Sequence, residues 1–188
     1  MFVPIQGANE SIANTQGYTS TAKFLHWLIA VLLIAQFIFA WAMPHIGRST
    51  PVTTLISLHF TSGVIVLAVA IVRLAWRATH KVPPLRDIPR WQMQGARIVH
   101  WLLYILLFVV PILGWINASW RGMPIVMFGV ELPKLVATRA AGWRWTGDVH
   151  SVLANYLMLT LVGLHVLAGL YHYFIRRDGV LQRMLPSR

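Results

Sequence analysis

Residues 147–175 read GDVHSVLANYLMLTLVGLHVLAGLYHYFI, a long apolar stretch with its single carboxylate, Asp148, at the start and histidines at 150, 165 and 172. At 1.5 Å per residue such a stretch reaches about 43 Å as a helix, more than the ~30 Å of hydrocarbon in a bilayer. Three further runs, residues 21–43, 52–76 and 98–118, are also long enough to cross. Inside hydrocarbon every backbone N–H and C=O must be paired within the segment, so these runs are expected to be helices. The fold class that follows is all-α, an integral membrane four-helix bundle, with one domain over residues 21–188 behind a polar N-terminal tail, residues 1–20. That tail has no basic n-region and no small-residue cleavage site after a short apolar core, so it does not read as a signal peptide.

Composition agrees, since 57% of residues are hydrophobic and only 11% are charged, most of the latter outside the runs. The chain has no cysteine, which excludes disulfides, thiolate ligands and iron–sulfur clusters and leaves histidine as the donor for any metal. A net charge of +11 would suit nucleic acid, but its distribution does not, because the basic residues gather beside the ends of the apolar runs. Membrane lipid is the expected partner, and no nucleic acid. Lys23, Arg73, Arg77, Lys81, Arg86, Arg90, Arg97, Arg176, Arg177, Arg183 and Arg188 lie on one side, and only Arg48, Arg121, Lys134, Arg139 and Arg144 on the other. By the positive-inside rule both termini and the 77–97 connection are expected in the cytoplasm, with the chain in a bacterial inner membrane.

Pro83, Pro84 and Pro89 mark an irregular inner loop, Met43 and Pro44 a short outer turn, and Pro111 a kink in the third span. The outer segment 119–145 carries Trp120, Phe128, Trp143 and Trp145, suited to the headgroup level as an aromatic belt or a short interfacial helix, and long enough to form a lid.

Four of the eight histidines, His26, His59, His150 and His165, lie in or at the rims of the runs and have Ala or Gly four residues later: Ala30, Gly63, Ala154 and Gly169. A flat macrocycle could lie against the backbone there. The other four are followed at that spacing by Tyr104, Arg176, Ser49 and Pro84. His26 and His165 belong to the inner half of the bundle, His59 and His150 to the outer half. His150 and His165 are 15 residues apart, about 22 Å of rise and roughly 60° from alignment, so both address one interior. A facing histidine pair in apolar surroundings supplies what bis-imidazole haem ligation needs, and filling both axial positions favours electron transfer over oxygen binding. A lone membrane histidine can equally hydrogen-bond a carbonyl, and small residues also serve close helix packing. Two pairs matched in depth argue for ligation.

His26-Trp27 opening span one, His59 with Gly63, Arg73 closing span two, His100 and Tyr104, and the block from His150 through Gly163-Leu164-His165 to His172-Tyr173-Phe174 carry a further signal. With the Arg-Met-Leu-Pro run from Arg183 to Pro186, they make residues 18–188 resemble the bacterial cytochrome b561 family. The resemblance implies two b haems, the inner one held by His26 and His165 and the outer by His59 and His150. It also implies single-electron transfer across the membrane with exchange at the quinone pool, some members oxidising superoxide at the outer face and reducing ubiquinone at the inner.

His100 and His172 would make a hydrogen-bonding and protonating site for a quinone carbonyl. Arg73 is the candidate contact for a haem propionate. Arg121, Arg139 and Arg144 could steer a small anion such as superoxide, although a solvated loop is the plainer account. Two rival readings stay open: a cytochrome b subunit of a membrane-bound hydrogenase or dehydrogenase, and a haem-free transporter whose histidines relay protons or bind a metal. The second lacks intramembrane carboxylates, since Glu10, Asp87, Glu131, Asp148 and Asp178 lie outside the runs or at their edges.

Overall fold

A computed structural model describes residues 17–47, 50–81 and 88–185. The expectations for the tail before residue 17 and for Arg48, Pro83, Pro84, Arg86, Pro186 and Arg188 lie outside these described residues. Four helices account for the apolar runs: α1 (Ser20–Ala42), α2 (Thr54–Thr79), α3 (Arg90–Arg121) and α4 (Thr146–Arg176). The first two start where a threonine oxygen caps an orphan backbone donor, Thr19 accepting from Ala22 N at 3.2 Å and Thr53 from Ile56 N at 3.4 Å. Gly122, at φ 77°, ends α3 in the left-handed region that a side chain would strain. A Cβ there would also stand 2.9 Å from Thr138 Cγ2.

The structure departs from the sequence reading most at the start of α3 and in the outer connection. α3 begins at Arg90, eight residues before the apolar run, because hydropathy marks only the part in hydrocarbon while the helix continues through its amphipathic first turns. Pro111 lies inside α3, which continues past it although proline has no N–H to donate. The outer connection contains an antiparallel hairpin, β1 (Val126–Met127) and β2 (Val130–Glu131), rather than a helix. Its Phe128-Gly129 tip has φ 52° and 81°, the positive pair that a tight two-residue hairpin turn demands.

The helices pack in sequence order, α1 on α2, α2 on α3 and α3 on α4, whereas α4 brings no Cα within 8 Å of α1 or α2. A vertical slot therefore runs between α4 and the first two helices, bridged by side chains alone. At mid-height it is closed by an apolar layer of Ile29, Val66, Ala70, Leu106, Leu107, Val110, Met158 and Leu161. The outward faces are just as apolar. Phe24, Trp27, Val31, Ile34, Ile38 and Trp41 follow each other at three- and four-residue steps on α1, all of them exposed, as a face solvated by lipid should be. With lipid as apolar as the core, close packing holds the helices together.

Ala70 tests that packing, because it has no exposed surface and sits in the central layer. Ala70→Leu should destabilise the protein by about 1–3 kcal/mol and lower its thermal midpoint in detergent by several degrees. Ile34→Leu, on the lipid face, should leave the midpoint unchanged.

Candidate functional site

The slot brings the four singled-out histidines together in two pairs. His26 of α1 faces His165 of α4 with ring centroids 6.0 Å apart and planes at 83°. His59 of α2 faces His150 of α4 at 6.1 Å and 90°. Two imidazoles bound from opposite sides of one metal ion stand roughly 6 Å apart, from two metal–nitrogen bonds of ~2.0–2.1 Å and about 1.1 Å from each nitrogen to its ring centre. Both pairs have that spacing. His100 lies closer to His165, 5.2 Å at 71°, nearly an ångström short of it.

Hydrogen bonding fixes which nitrogen His150 offers. Its Nδ1 lies 2.8 Å from the carbonyl of Val110, and since a carbonyl only accepts, Nδ1 carries the proton and Nε2 keeps its lone pair. A ligating histidine needs this arrangement, with the distal N–H anchored to the backbone and the other nitrogen bare. His59 differs, for its Nδ1 is buried without a hydrogen-bond partner. The space between these two rings belongs to a cavity of about 430 Å³, lined mainly by apolar side chains such as Leu33, Phe37, Phe60 and Met158. An apolar slot with two facing neutral donors fits a haem.

Room at His150 comes from a residue the four-residue rule missed. A Cβ on Gly114 would stand 3.0 Å from His150 Cε1 and 3.1 Å from Nδ1, so the imidazole lies flat against the α3 backbone. The signal for it was a glycine amid bulky residues on the facing span, and spacing along one helix cannot reveal a contact across two. Elsewhere the rule needs correction. A Cβ on Gly63 would lie 2.8 Å from the amide nitrogen of Gln36, so that glycine admits a side chain of α1 instead of leaving bare backbone. At Gly169 the nearest atom would be Leu181 Cδ1 at 3.8 Å, an ordinary contact. α4 also contains a wide π-helical turn over Leu153–Met158, between its two paired histidines. The extra residue in such a turn changes the angle between His150 and His165 by about 100°, leaving them roughly 40° apart, still on one face.

Arg73 reaches the inner pair from α2, its Nε donating to Tyr104 Oη and its Nη1 to the carbonyl of Ala22, both at 3.1 Å. Among the described residues the His172 ring meets that of Tyr171, 5.7 Å between centroids, while His100 meets His165. Its Nδ1 is 2.6 Å from Asp178 Oδ2, and Asp178 accepts in turn from Val180 N at 3.3 Å and lies 3.7 Å from Arg176 Nε. The partnership with Asp178 went unread in the sequence, because it depends on the chain reversing after the left-handed Arg177 at φ 53°. Residues after that turn form a hook under the bundle, where Met184 O accepts from Trp27 Nε1 at 2.9 Å and Arg183 O from Tyr18 N at 3.4 Å.

The outer connection is tied down by side-chain hydrogen bonds to its backbone. Trp115 Nε1 donates to Pro133 O, Trp120 Nε1 to Ala140 O and Thr61 of α2 to Val126 O, at 3.0–3.1 Å. Its Ile125 is buried and forms part of the cavity wall. The Arg139 guanidinium lies over the ring of Trp120, 4.8 Å from the centroid.

Four helices apolar enough to cross a membrane, with histidine pairs facing one another across an interior slot, have the build of a membrane cytochrome. Residues 17–187 match the profile of the prokaryotic cytochrome b561 family. A protein of Yersinia pestis named "Probable superoxide oxidase CybB" is 27% identical over 168 residues, 87% of this chain and 93% of that one. Cytochrome b561 homolog 2 of Escherichia coli is 29% identical, covering 93% and 95% of the two chains. Cytochrome b562 of Cereibacter sphaeroides is 28% identical, covering 92% and 97%. The chain belongs to the prokaryotic cytochrome b561 family, and is accordingly a bacterial multi-pass membrane protein of electron transport that uses haem b.

Gly114→Val places two methyl groups where the His150 ring lies. It should reduce haem content per chain to well below that of the wild type while the variant still folds, as read by pyridine haemochrome absorbance against protein concentration.

Proposed function

We propose that this chain is a diheme cytochrome that moves single electrons across the membrane and exchanges them with quinone, taking them from superoxide at the outer face. The observation that carries the reading is the pair of histidine–histidine spacings, 6.0 and 6.1 Å, at two depths of one slot. His26 and His165 would hold the inner haem, and His59 and His150 the outer one. Haem iron, when bound, alternates between its ferric and ferrous states and so carries one electron at a time.

The protein's own contribution is ligation, burial and proton handling. Nε2 of His150 is kept free for a metal by the Val110 carbonyl at the other nitrogen. The apolar layer around Ile29, Val66 and Leu161 keeps water out of the space between the two depths. Arg73, held by Tyr104 and Ala22, presents a fixed positive charge to the inner half, suited to a propionate. With both termini cytoplasmic, the hook and His172 face the cytoplasm.

Quinone takes up two electrons and two protons on becoming quinol, while each of two superoxide anions gives up one electron and leaves as oxygen. His172 can deliver protons at the inner face, since Asp178 anchors its Nδ1 and leaves Nε2 for a quinone oxygen. His100, beside His165, is the second inner imidazole available to such a site. At the outer face Arg121, Arg139 and Arg144 give the rim the charge that raises the encounter rate of a small anion. The relative in Yersinia pestis, by its name, is the comparison that favours superoxide as donor.

Single-alanine variants test the ligand set. His165→Ala should lose the inner haem and keep the outer, His150→Ala the reverse, and His100→Ala should keep both, as read from haem stoichiometry and resolved low-temperature α bands. Full haem content in His165→Ala would refute the assignment. In proteoliposomes carrying ubiquinone, a superoxide source should reduce quinone with the wild type and not with His150→Ala.

A further inference from the structure

Three buried polar atoms lack a hydrogen-bond partner around the outer cavity: His59 Nδ1, Asn117 Oδ1 and Arg121 Nε. A buried polar group without a partner costs free energy, and such a group at a cavity wall points to something polar that belongs there. His59 is accounted for as one of the facing imidazoles. Asn117 and Arg121 are not.

They lie one helical turn apart at the outer end of α3, and the rest of the cavity supplies a contrast. Toward the bundle centre its walls include Leu33, Val66, Leu107 and Met158, and the polar Gln36 and Asn155 nearby are already bonded to Ser62 and Trp41. Toward the outer mouth they become polar, with Asn117 and Arg121 on one side and Gly147 and Asp148 on the other. Arg121 is already fixed, since its Nη1 donates to the carbonyls of Ile46 at 3.1 Å and Gly47 at 3.3 Å, leaving Nε as the orphan donor. No salt bridge joins it to Asp148 among the described residues. Gly147 lets the α4 backbone pack closely against Asn117, for a Cβ there would lie 2.9–3.0 Å from all three atoms of the amide head. A half-turn of that head exchanges its oxygen for its NH₂, so Asn117 can offer a donor as readily as an acceptor.

A cavity apolar at one end, with a fixed cation and an adaptable amide at the other, matches a flat apolar body bearing carboxylates on one edge. We infer that Arg121 and Asn117 form the binding site for the carboxylate edge of the outer haem, which therefore enters the slot with its carboxylates turned toward the outer face. The inference rests on ligation by His59 and His150. A guanidinium paired with carboxylate offsets negative charge beside the redox centre and so eases the addition of an electron.

The test is a spectroelectrochemical titration of purified haem-loaded protein, comparing the wild type with Arg121→Gln, Arg121→Lys and Asn117→Leu. Arg121→Gln should move one of two midpoint potentials to a more negative value and leave the other in place. Arg121→Lys should restore most of that shift, and Asn117→Leu should perturb the same haem by a smaller shift or by partial loss. Asn117 makes no side-chain hydrogen bond among the described residues that the substitution would break, so it decides the matter even if Arg121→Gln fails to fold through loss of its Ile46 and Gly47 bonds. Full haem content and unchanged midpoints in Asn117→Leu would overturn the site. A midpoint that follows the replacement of chloride by gluconate would put a solution anion in the cradle and overturn it too. A wild type with fewer than two haems would instead refute the ligation reading, an outcome visible before any variant is made.

Discussion

Across the slot, imidazoles of α4 meet imidazoles of α1 and α2 between helices whose backbones do not touch, and the other features of the bundle serve to keep that gap open and lined. Helices in lipid lack a hydrophobic drive toward one another and close up wherever small residues permit. Here α1, α2 and α3 do close up, each on the next, while α4 is held against α3 alone. The spacing between facing rings is what remains when α4 stands off. It matches a metal with two axial nitrogens at both depths, and Gly114 is the concession in α3 that lets His150 take its place.

Two kinds of constraint maintain the gap. In the middle, bulky side chains from all four helices meet in one layer and act as a spacer between the upper and lower pairs. At the ends, loops and side chains bind helices whose backbones do not touch. Outside, Arg121 of α3 grips the carbonyls that follow α1, and the hairpin bonds to Thr61 of α2. Inside, the C-terminal hook reaches from α4 to Trp27 and Tyr18 beside α1. Both ends of the slot are thereby bounded by hydrogen-bonded backbone beyond the apolar spans, where irregular chain need not face hydrocarbon.

Much of this was legible in the sequence because a bilayer imposes length and polarity so strictly. Four apolar runs, the charge asymmetry at their ends and the depth of each histidine follow from one-dimensional reasoning, and the pairs His26–His165 and His59–His150 fall out of depth alone. What escaped depends on contacts between segments. Gly114 matters through a ring on another helix, and Asp178 through a reversal at Arg177 that brings it back to His172. Gly63 was misread for the same reason, since the four-residue interval does not show that Gln36 fills the space. The amphipathic start of α3 and the hairpin near Phe128 escaped because hydropathy reports where lipid is, and helices and turns are not confined to it.

The central claim is that two facing histidine pairs hold two haems, and the most direct measurement is the dithionite-reduced minus oxidised absorption spectrum of protein purified from haem-replete cells, with haem per chain counted as the pyridine haemochrome. Two b haems per chain, with sharp low-spin α bands, is the result expected of bis-imidazole ligation at both depths. One haem per folded chain, or none, would contradict it.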